Sequence, residues 1–168
     1  MTGITRRRVL GLFATTTVGV PLAGCGSDRP GLAAGFSTGQ GRAADSAHLK
    51  LRNILVVSAS TGSGTLLTTI FNEDVTDDRL LDVSLRDGDA IMRPPAVTLP
   101  ARGVAVIGMD TSLAAEPGTV LLTGTPVKPG YVVWLTFGFH RAAPVKAGAI
   151  VVPHEGEYAA VPLPESSR

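Results

Sequence analysis

A succession of short apolar runs, broken by turn residues, limits the folds open to this chain. Between residues 48 and 153 the runs are rich in β-branched and large apolar side chains, and in the clearest run, 131–139, a large apolar residue recurs at every second position from Tyr131. A period of two is typical of a strand that buries one face. The Asp87-Gly88 pair predicts a hairpin turn, and the Pro94-Pro95 pair predicts a sheet edge or a bend.

About seven or eight such runs, with turns roughly every 8 to 12 residues, predict one all-β domain, an antiparallel β-sandwich of the cupredoxin or immunoglobulin-like kind. No stretch after residue 47 combines a helical period with helix caps. The acidic turn with Asp74, Asp77 and Asp78 lacks the spacing of a calcium-binding loop, so we expect it to be the charged end of a hairpin.

The first 24 residues predict a lipoprotein signal peptide. Arg6, Arg7 and Arg8 form a positive start, and the apolar run that follows, 9–23, contains no charge. At about 1.5 Å per residue this run is too short to cross a bilayer core of about 30 Å, so it is typical of a signal peptide and not of a membrane-spanning helix. The Arg6-Arg7 pair fits a twin-arginine export signal, and it also fits the Sec route, whose signals often carry two arginines.

Leu22, Ala23 and Gly24 stand directly before Cys25, in the pattern of a lipobox. A thiol is the nucleophile that accepts diacylglycerol, and small residues before it give a peptidase access to the backbone. We therefore expect Cys25 to carry lipid, with palmitate among the acyl chains, and to hold the mature protein on the extracytoplasmic face of a bacterial cell membrane. Because Cys25 is the only cysteine, no disulfide can form within the chain.

Composition divides the remainder of the chain. Residues 25–47 predict the lipidated cysteine and a flexible linker, 48–155 the β-sandwich domain, and 156–168 a polar tail. Of the 15 Lys and Arg residues three precede Cys25, which leaves 12 against 14 Asp and Glu. A weakly acidic body without a basic cluster argues against nucleic acid as a partner. The predicted partners are the membrane, through the lipid, and a protein of the cell envelope.

Several segments resemble the periplasmic copper chaperones called PCu(A)C. They are Leu67-Thr68-Thr69-Ile70-Phe71-Asn72 with 78–84, Ile91-Met92-Arg93-Pro94, Thr98-Leu99-Pro100-Ala101-Arg102-Gly103, and 120–124 with 128–130 and 133–139. The resemblance spans about residues 49–153 and is greatest to lipid-anchored actinobacterial members. It implies the family's β-sandwich and a link to copper handling.

The resemblance also implies where copper ligands would stand, since that family binds copper through His and Met side chains that include a His-x-Met pair. Thr119 occupies the position of that His and Leu121 the position of that Met, while an earlier ligand position falls near Arg86 or Asp87. Met92 alone corresponds to a family ligand, and one thioether cannot hold Cu(I). The resemblance therefore implies a binding or accessory protein with degenerate copper ligands and no cofactor.

The alternative is a Cu(I) carrier with an altered site, built from Met92 and one or more of His140, His154 and Met109. The histidines have no metal-ligand spacing, so we expect them to be exposed residues beside loops. We expect no enzymatic activity, because the sequence contains no nucleophile elbow and Cys25 is assigned to lipid.

Overall fold

The computed structural model describes residues 41–109 and 118–163. These residues form an almost entirely β domain, as predicted. The strands are β1 (Arg42–Ser46), β2 (Leu49–Ser60), β3 (Ser63–Asn72), β4 (Asp78–Leu85), β5 (Asp89–Arg93), β6 (Val97–Leu99), β7 (Val104–Ile107), β8 (Thr119–Thr123), β9 (Val132–Phe139) and β10 (Val145–Pro153). A short 3₁₀-helix, Gly156–Tyr158, follows β10.

The strands form one curled sheet in the hydrogen-bonded order β5-β8-β3-β2-β10-β9-β4-β6, with β1 beside β2 and β7 beside β3. The two halves of this order enclose one core, to which Leu51 and Ile70 contribute from one half and Leu80 and Phe137 from the other. Among the described strands, β10 pairs with β2 in parallel, and the other strand pairs are antiparallel. The predicted all-β sandwich is confirmed, and the parallel pair is a departure from the purely antiparallel arrangement that we expected.

Strand β9 illustrates how the period of two builds the core. Val133 and Leu135 are each 1% exposed, whereas Val132 and Trp134 are 41% and 54% exposed. Burial of a side chain of the size of valine or leucine contributes about 1.5–3 kcal/mol relative to leaving it in water. Tyr131 precedes the strand and is 57% exposed, so the buried face predicted for this run begins at Val133.

Strand β2 is buried on both faces between Ile54 and Ser58. Ile54 and Val56 join the main core, and Leu55 and Val57 join a second apolar cluster with Tyr158 from the segment after β10. Two-sided burial explains the continuous apolar run in β2, which has no period of two. Residues 156–163, which we expected to begin a polar tail, therefore cover one face of the sheet.

Strand β1 lies inside the segment that the sequence assigned to the linker. It pairs with β2, and the partners include Arg42 with Ile54 and Ser46 with Leu49. Gly41 lies so close to Asn53 that a side chain at position 41 would overlap its backbone. The linker boundary at residue 47 is corrected: the described fold already includes residues 42–46.

The turn at Asp87-Gly88 is not a hairpin, contrary to the sequence prediction. Strand β4 pairs with β6 and β9, and β5 pairs with β8, so the chain passes between the two halves of the sheet at this turn. A Cβ at Gly88 would lie 2.5 Å from the carbonyl oxygen of Thr123, which explains the need for glycine. Pro94-Pro95 joins β5 to β6, the two strands that end the order, in agreement with the predicted edge or bend.

The proposed export and lipidation residues Arg6, Arg7, Leu22, Ala23, Gly24 and Cys25 lie outside the described residues, as does most of the predicted linker. Their roles remain predictions. In residues 41–109 and 118–163, no helix has the length and apolarity needed to cross a membrane.

Candidate functional site

Met92, which the sequence resemblance matched to a family ligand, lies on strand β5. Its cross-strand partner is Val120 of β8, a fully buried residue, and the half-buried Met92 side chain packs against the main core. The neighbouring Ile91 points the other way and is 49% exposed. Met92 is therefore placed as a packing residue at the margin of the core.

The positions that the resemblance assigns to a His-x-Met pair lie on the opposite face of the same two strands. Thr119 pairs with Arg93, and Leu121 pairs with Ile91. Because side chains alternate between the faces of a sheet, residues 119 and 121 point away from the face that holds Met92. The cross-strand register thus separates Met92 from both positions.

The other candidate ligands lie in different surroundings. His140 is exposed directly after β9, and its backbone N–H donates to the carbonyl of Arg79 at 2.9 Å. His154 follows β10, and its Nε2 lies 2.9 Å from the carbonyl oxygen of Val161. Met109 packs against the second apolar cluster. Among the described residues no group of three His, Cys, Asp or Glu side chains is placed to hold a metal ion.

A buried carboxylate organises one end of the sandwich. Asp78 is 1% exposed; it accepts hydrogen bonds from the backbone N–H groups of Arg79 at 2.7 Å, Arg141 at 2.9 Å and Ala142 at 3.0 Å, and it lies 3.1 Å from Nε2 of His48. Burial is the largest single influence and raises the pKa of Asp78, but the hydrogen bonds together outweigh it and leave that pKa below its ordinary value. Asp78 therefore has a structural role within the fold, which the prediction of a charged hairpin end did not include.

Asn72 and Arg141 complete the same polar end. The buried amide of Asn72 donates to the carbonyls of Thr76 at 3.0 Å and Leu99 at 2.9 Å, and its oxygen accepts from the N–H of Asp74 at 3.0 Å. The Arg141 guanidinium lies 2.9 Å from the Asp74 carboxylate. Because these groups already have partners within the fold, the cluster ties loops together and leaves little capacity for a ligand.

The outer face of β4, β9 and β10 carries the largest exposed aromatic group. Trp134 projects from it, opposite Gly148 of β10. An open cavity of about 520 Å³ beside Trp134 is lined by Ser84, Leu85, Arg86, Trp134, Leu135, Thr136 and Lys146. The period of two in β9 was the sequence signal that placed Trp134 opposite the core, but its cationic neighbours Arg86 and Lys146 come from other segments of the chain.

Comparison with known proteins identifies the fold of the described domain. No protein-family model and no curated protein matches the sequence. The copper-bound PCuAC domain from PmoF2 matches with a TM-score of 0.54 and 19% identity, over 67% of this chain and 98% of that domain. The apo PCuAC domain from PmoF1 matches with a TM-score of 0.55 and 18% identity, over 67% of this chain and 99% of that domain. The apo PmoF2 PCuAC domain matches with a TM-score of 0.50 and 19% identity, over 68% of this chain and 98% of that domain. The domain of this chain therefore has the PCuAC fold.

Proposed function

We propose that this chain is a non-enzymatic binding or accessory protein of the cell envelope, lipid-anchored on the extracytoplasmic face of the bacterial membrane, which uses a PCuAC fold without that family's copper site. The observation that carries the proposal is the register of β5 with β8. Met92 faces Val120 and the core, while Thr119 and Leu121 lie on the other face with Arg93 and Ile91 as partners.

The ligand preference of copper explains why this register of β5 with β8 argues against a copper site. Cu(I) selects thioether, thiolate and imidazole ligands. A hydroxyl at residue 119 and an aliphatic chain at residue 121 supply none of these, and Met92 has apolar neighbours on its own face. A Cu(I) ion at this edge would have one protein ligand, which is too few to compete with other copper-binding proteins.

The lipid anchor at Cys25 gives the proposed protein its place of action. A single acyl chain anchors a protein only marginally, whereas the two or three chains of a processed lipoprotein retain it at the membrane. Retention raises the effective concentration of the domain near envelope partners without any further contact. An accessory protein of this kind acts by binding and positioning.

A second candidate is a Cu(I) carrier with a relocated site. It is favoured by the fold that this chain shares with a copper-bound domain and by the second apolar cluster, where Met109 packs and where His154 bonds the carbonyl of Val161. Val161 belongs to this cluster, so Met109 and His154 each contact the same group of residues, whereas Met92 packs against the main core.

Competition for Cu(I) against a chromogenic chelator separates the two functions. We expect the purified full chain in detergent to leave the chelator complex intact, and Met92→Ala, Met109→Ala and His154→Ala to behave like the unmodified chain. Removal of stoichiometric Cu(I) from the chelator, with loss of that capacity in Met109→Ala and His154→Ala but not in the exposed control His140→Ala, would establish the relocated carrier instead.

A further inference from the structure

The outer face of β4, β9 and β10 is unusual for its combination of an exposed indole with cations. We call it the Trp134 face; its members are Ser84, Arg86, Val132, Trp134, Thr136, Lys146 and Gly148. Trp134 is 54% and Val132 41% exposed. A large apolar surface that remains in water on a folded domain indicates an interaction site more often than a scattered single residue does.

Two cross-strand rows build this face. In the first, Thr136 of β9 pairs with Ser84 of β4 and with Lys146 of β10. In the second, the backbone N–H of Arg86 donates to the carbonyl of Trp134 at 3.0 Å. The cavity of about 520 Å³ lies along these rows. Its described lining carries two cations and two hydroxyl groups and no carboxylate, which is the chemistry that binds a phosphate group.

Arg42 adds a third cation at the point where the chain enters the fold. Gly148, the partner of Trp134, has other side chains above it: a Cβ there would lie 3.2 Å from Cγ1 of Val132 and 3.5 Å from Cδ of Arg42. The Arg42 side chain therefore lies over Gly148. The first strand of the described fold begins beside the Trp134 face.

Two carboxylates lie near these cations. Asp87 is 3.7 Å from Arg86, and both side chains are more than three-quarters exposed, so that pair is weak and easily exchanged. Asp82 pairs with Gly138, beyond the row of Thr136. Near Trp134 and the cavity, the three cations Arg42, Arg86 and Lys146 therefore outnumber the acids.

The length of chain before Arg42 relates this face to the membrane. Sixteen residues, 26–41, separate Cys25 from Arg42. As a flexible linker, which the sequence predicts, this length has a root-mean-square span of about 20–24 Å. A lipid on Cys25 would therefore keep Arg42, and the Trp134 face beside it, within reach of the head groups.

We infer that the Trp134 face docks on anionic phospholipid, with a lipid phosphate in the cavity between Arg86 and Lys146 and the indole of Trp134 at the level of the head groups. This inference rests on the proposed lipid anchor, which brings the face to the membrane. Tryptophan is enriched at membrane–water interfaces, where its ring is half in an apolar environment. Lysine and arginine near the surface are attracted by anionic lipid.

Trp134 is the only tryptophan in the chain, so its fluorescence reports on this face alone. The protein purified from membranes is reconstituted into phosphatidylcholine vesicles and into vesicles of equal parts phosphatidylcholine and phosphatidylglycerol. We expect flotation with both kinds, and a blue shift of emission with quenching by brominated acyl chains in the anionic vesicles only. Flotation with both kinds of vesicle but with unshifted tryptophan emission would overturn the docking while still supporting the lipid anchor.

Failure of the anchor has a different signature. Flotation with the anionic vesicles alone, accompanied by the blue shift, would support docking while contradicting lipidation of Cys25, and flotation with neither kind would contradict both. A blue shift without quenching by brominated chains would mean an occupant other than lipid, such as a protein partner, and would overturn the inference.

A charge-matched pair of variants tests the cavity itself. We expect Arg86→Gln with Lys146→Gln to abolish the blue shift in anionic vesicles. Arg93→Gln with Arg102→Gln removes the same charge from exposed positions on β5 and the β6–β7 turn, and we expect it to retain the shift. Equal loss in both pairs would mean non-specific attraction and would overturn the site.

Discussion

The carboxylate of Asp78 lies 3.1 Å from Nε2 of His48, which joins the start of β4 to the turn between β1 and β2. The Asp78 side chain is fully buried, and that of His48 is 20% exposed. Three backbone N–H groups also point at the carboxylate. Asp78 thereby joins the start of β4, the turn before β2 and the segment after β9 at one end of the sandwich.

Asp78→Asn should destabilise the domain strongly. An amide group retains one acceptor oxygen, and its NH₂ would face backbone donors, so at least one buried N–H would lose its partner. We expect the free energy of unfolding to fall by about 2–3 kcal/mol, measured from denaturant midpoints. Asp77→Asn serves as the control, because Asp77 is exposed and accepts one hydrogen bond, from the N–H of Ala101 at 2.8 Å. Equal effects of the two substitutions would contradict the assigned role.

The stability of the protein should fall in acid, and Asp78 should account for part of the loss. Its pKa in the folded domain is below the ordinary value of 3.8, so the folded state binds the proton less readily than the unfolded chain. The stabilisation is complete well above pH 4 and is lost as the pH falls below about 4 toward the folded pKa. Urea midpoints between pH 6 and pH 2 measure this, and we expect a shallower decline in Asp78→Asn. An identical decline in both proteins would show that other carboxyl groups carry the effect.

Tyr158→Ala should expose one face of the sheet. Tyr158 is 7% exposed and packs with Leu55, Val57 and Val152 in the second cluster. Removal of a buried aromatic ring costs about 3–5 kcal/mol, and we expect a value at the lower end because this cluster lies at the surface of the fold. The exposed neighbour Glu157, changed to alanine, is the control, and we expect it to alter the midpoint little. If residues 156–163 were a solvated tail, Tyr158→Ala and Glu157→Ala would instead have the same denaturant midpoint.

Cys25→Ser should release the protein from the membrane. A hydroxyl group does not replace the thiol as the acceptor of diacylglycerol, so the precursor should remain unlipidated. Metabolic labelling with a palmitate analogue and fractionation of cells measure the result, and we expect the label to vanish and the chain to leave the membrane fraction. Label that persists in the serine variant would refute the assignment of the lipobox.

The positions of the strands could be predicted from the local sequence pattern, but their pairing could not. The run from Val132 to Phe139 forms a strand because its alternating side chains can bury one face. The same local reasoning failed at Asp87-Gly88, where a turn formed but its flanking strands joined different partners. A turn signal describes the backbone of a few residues, whereas the choice of partner depends on which apolar faces meet in the core.

The candidate site, like the strands, could be predicted from the sequence only in part. The resemblance predicted Met92 as a retained ligand, and it predicted Thr119 and Leu121 as departures from the family pattern. It did not indicate that Met92 faces the core while residues 119 and 121 face outward, because that follows from the register of β5 with β8. The sequence also did not indicate that Arg42, Arg86 and Lys146 lie near Trp134, since they belong to separate segments that the sheet brings together.

Local chemistry along the chain sufficed to predict an all-β domain, its strand-forming runs, and an export signal that ends at a lone cysteine. Periodicity and residue type act over a few neighbouring residues, so they can be read without knowledge of the fold. The burial of Asp78, the cover that residues 156–163 place on β2, and the cationic surroundings of Trp134 arose from contacts between distant segments. Such contacts exist only after the curled sheet has brought those segments together.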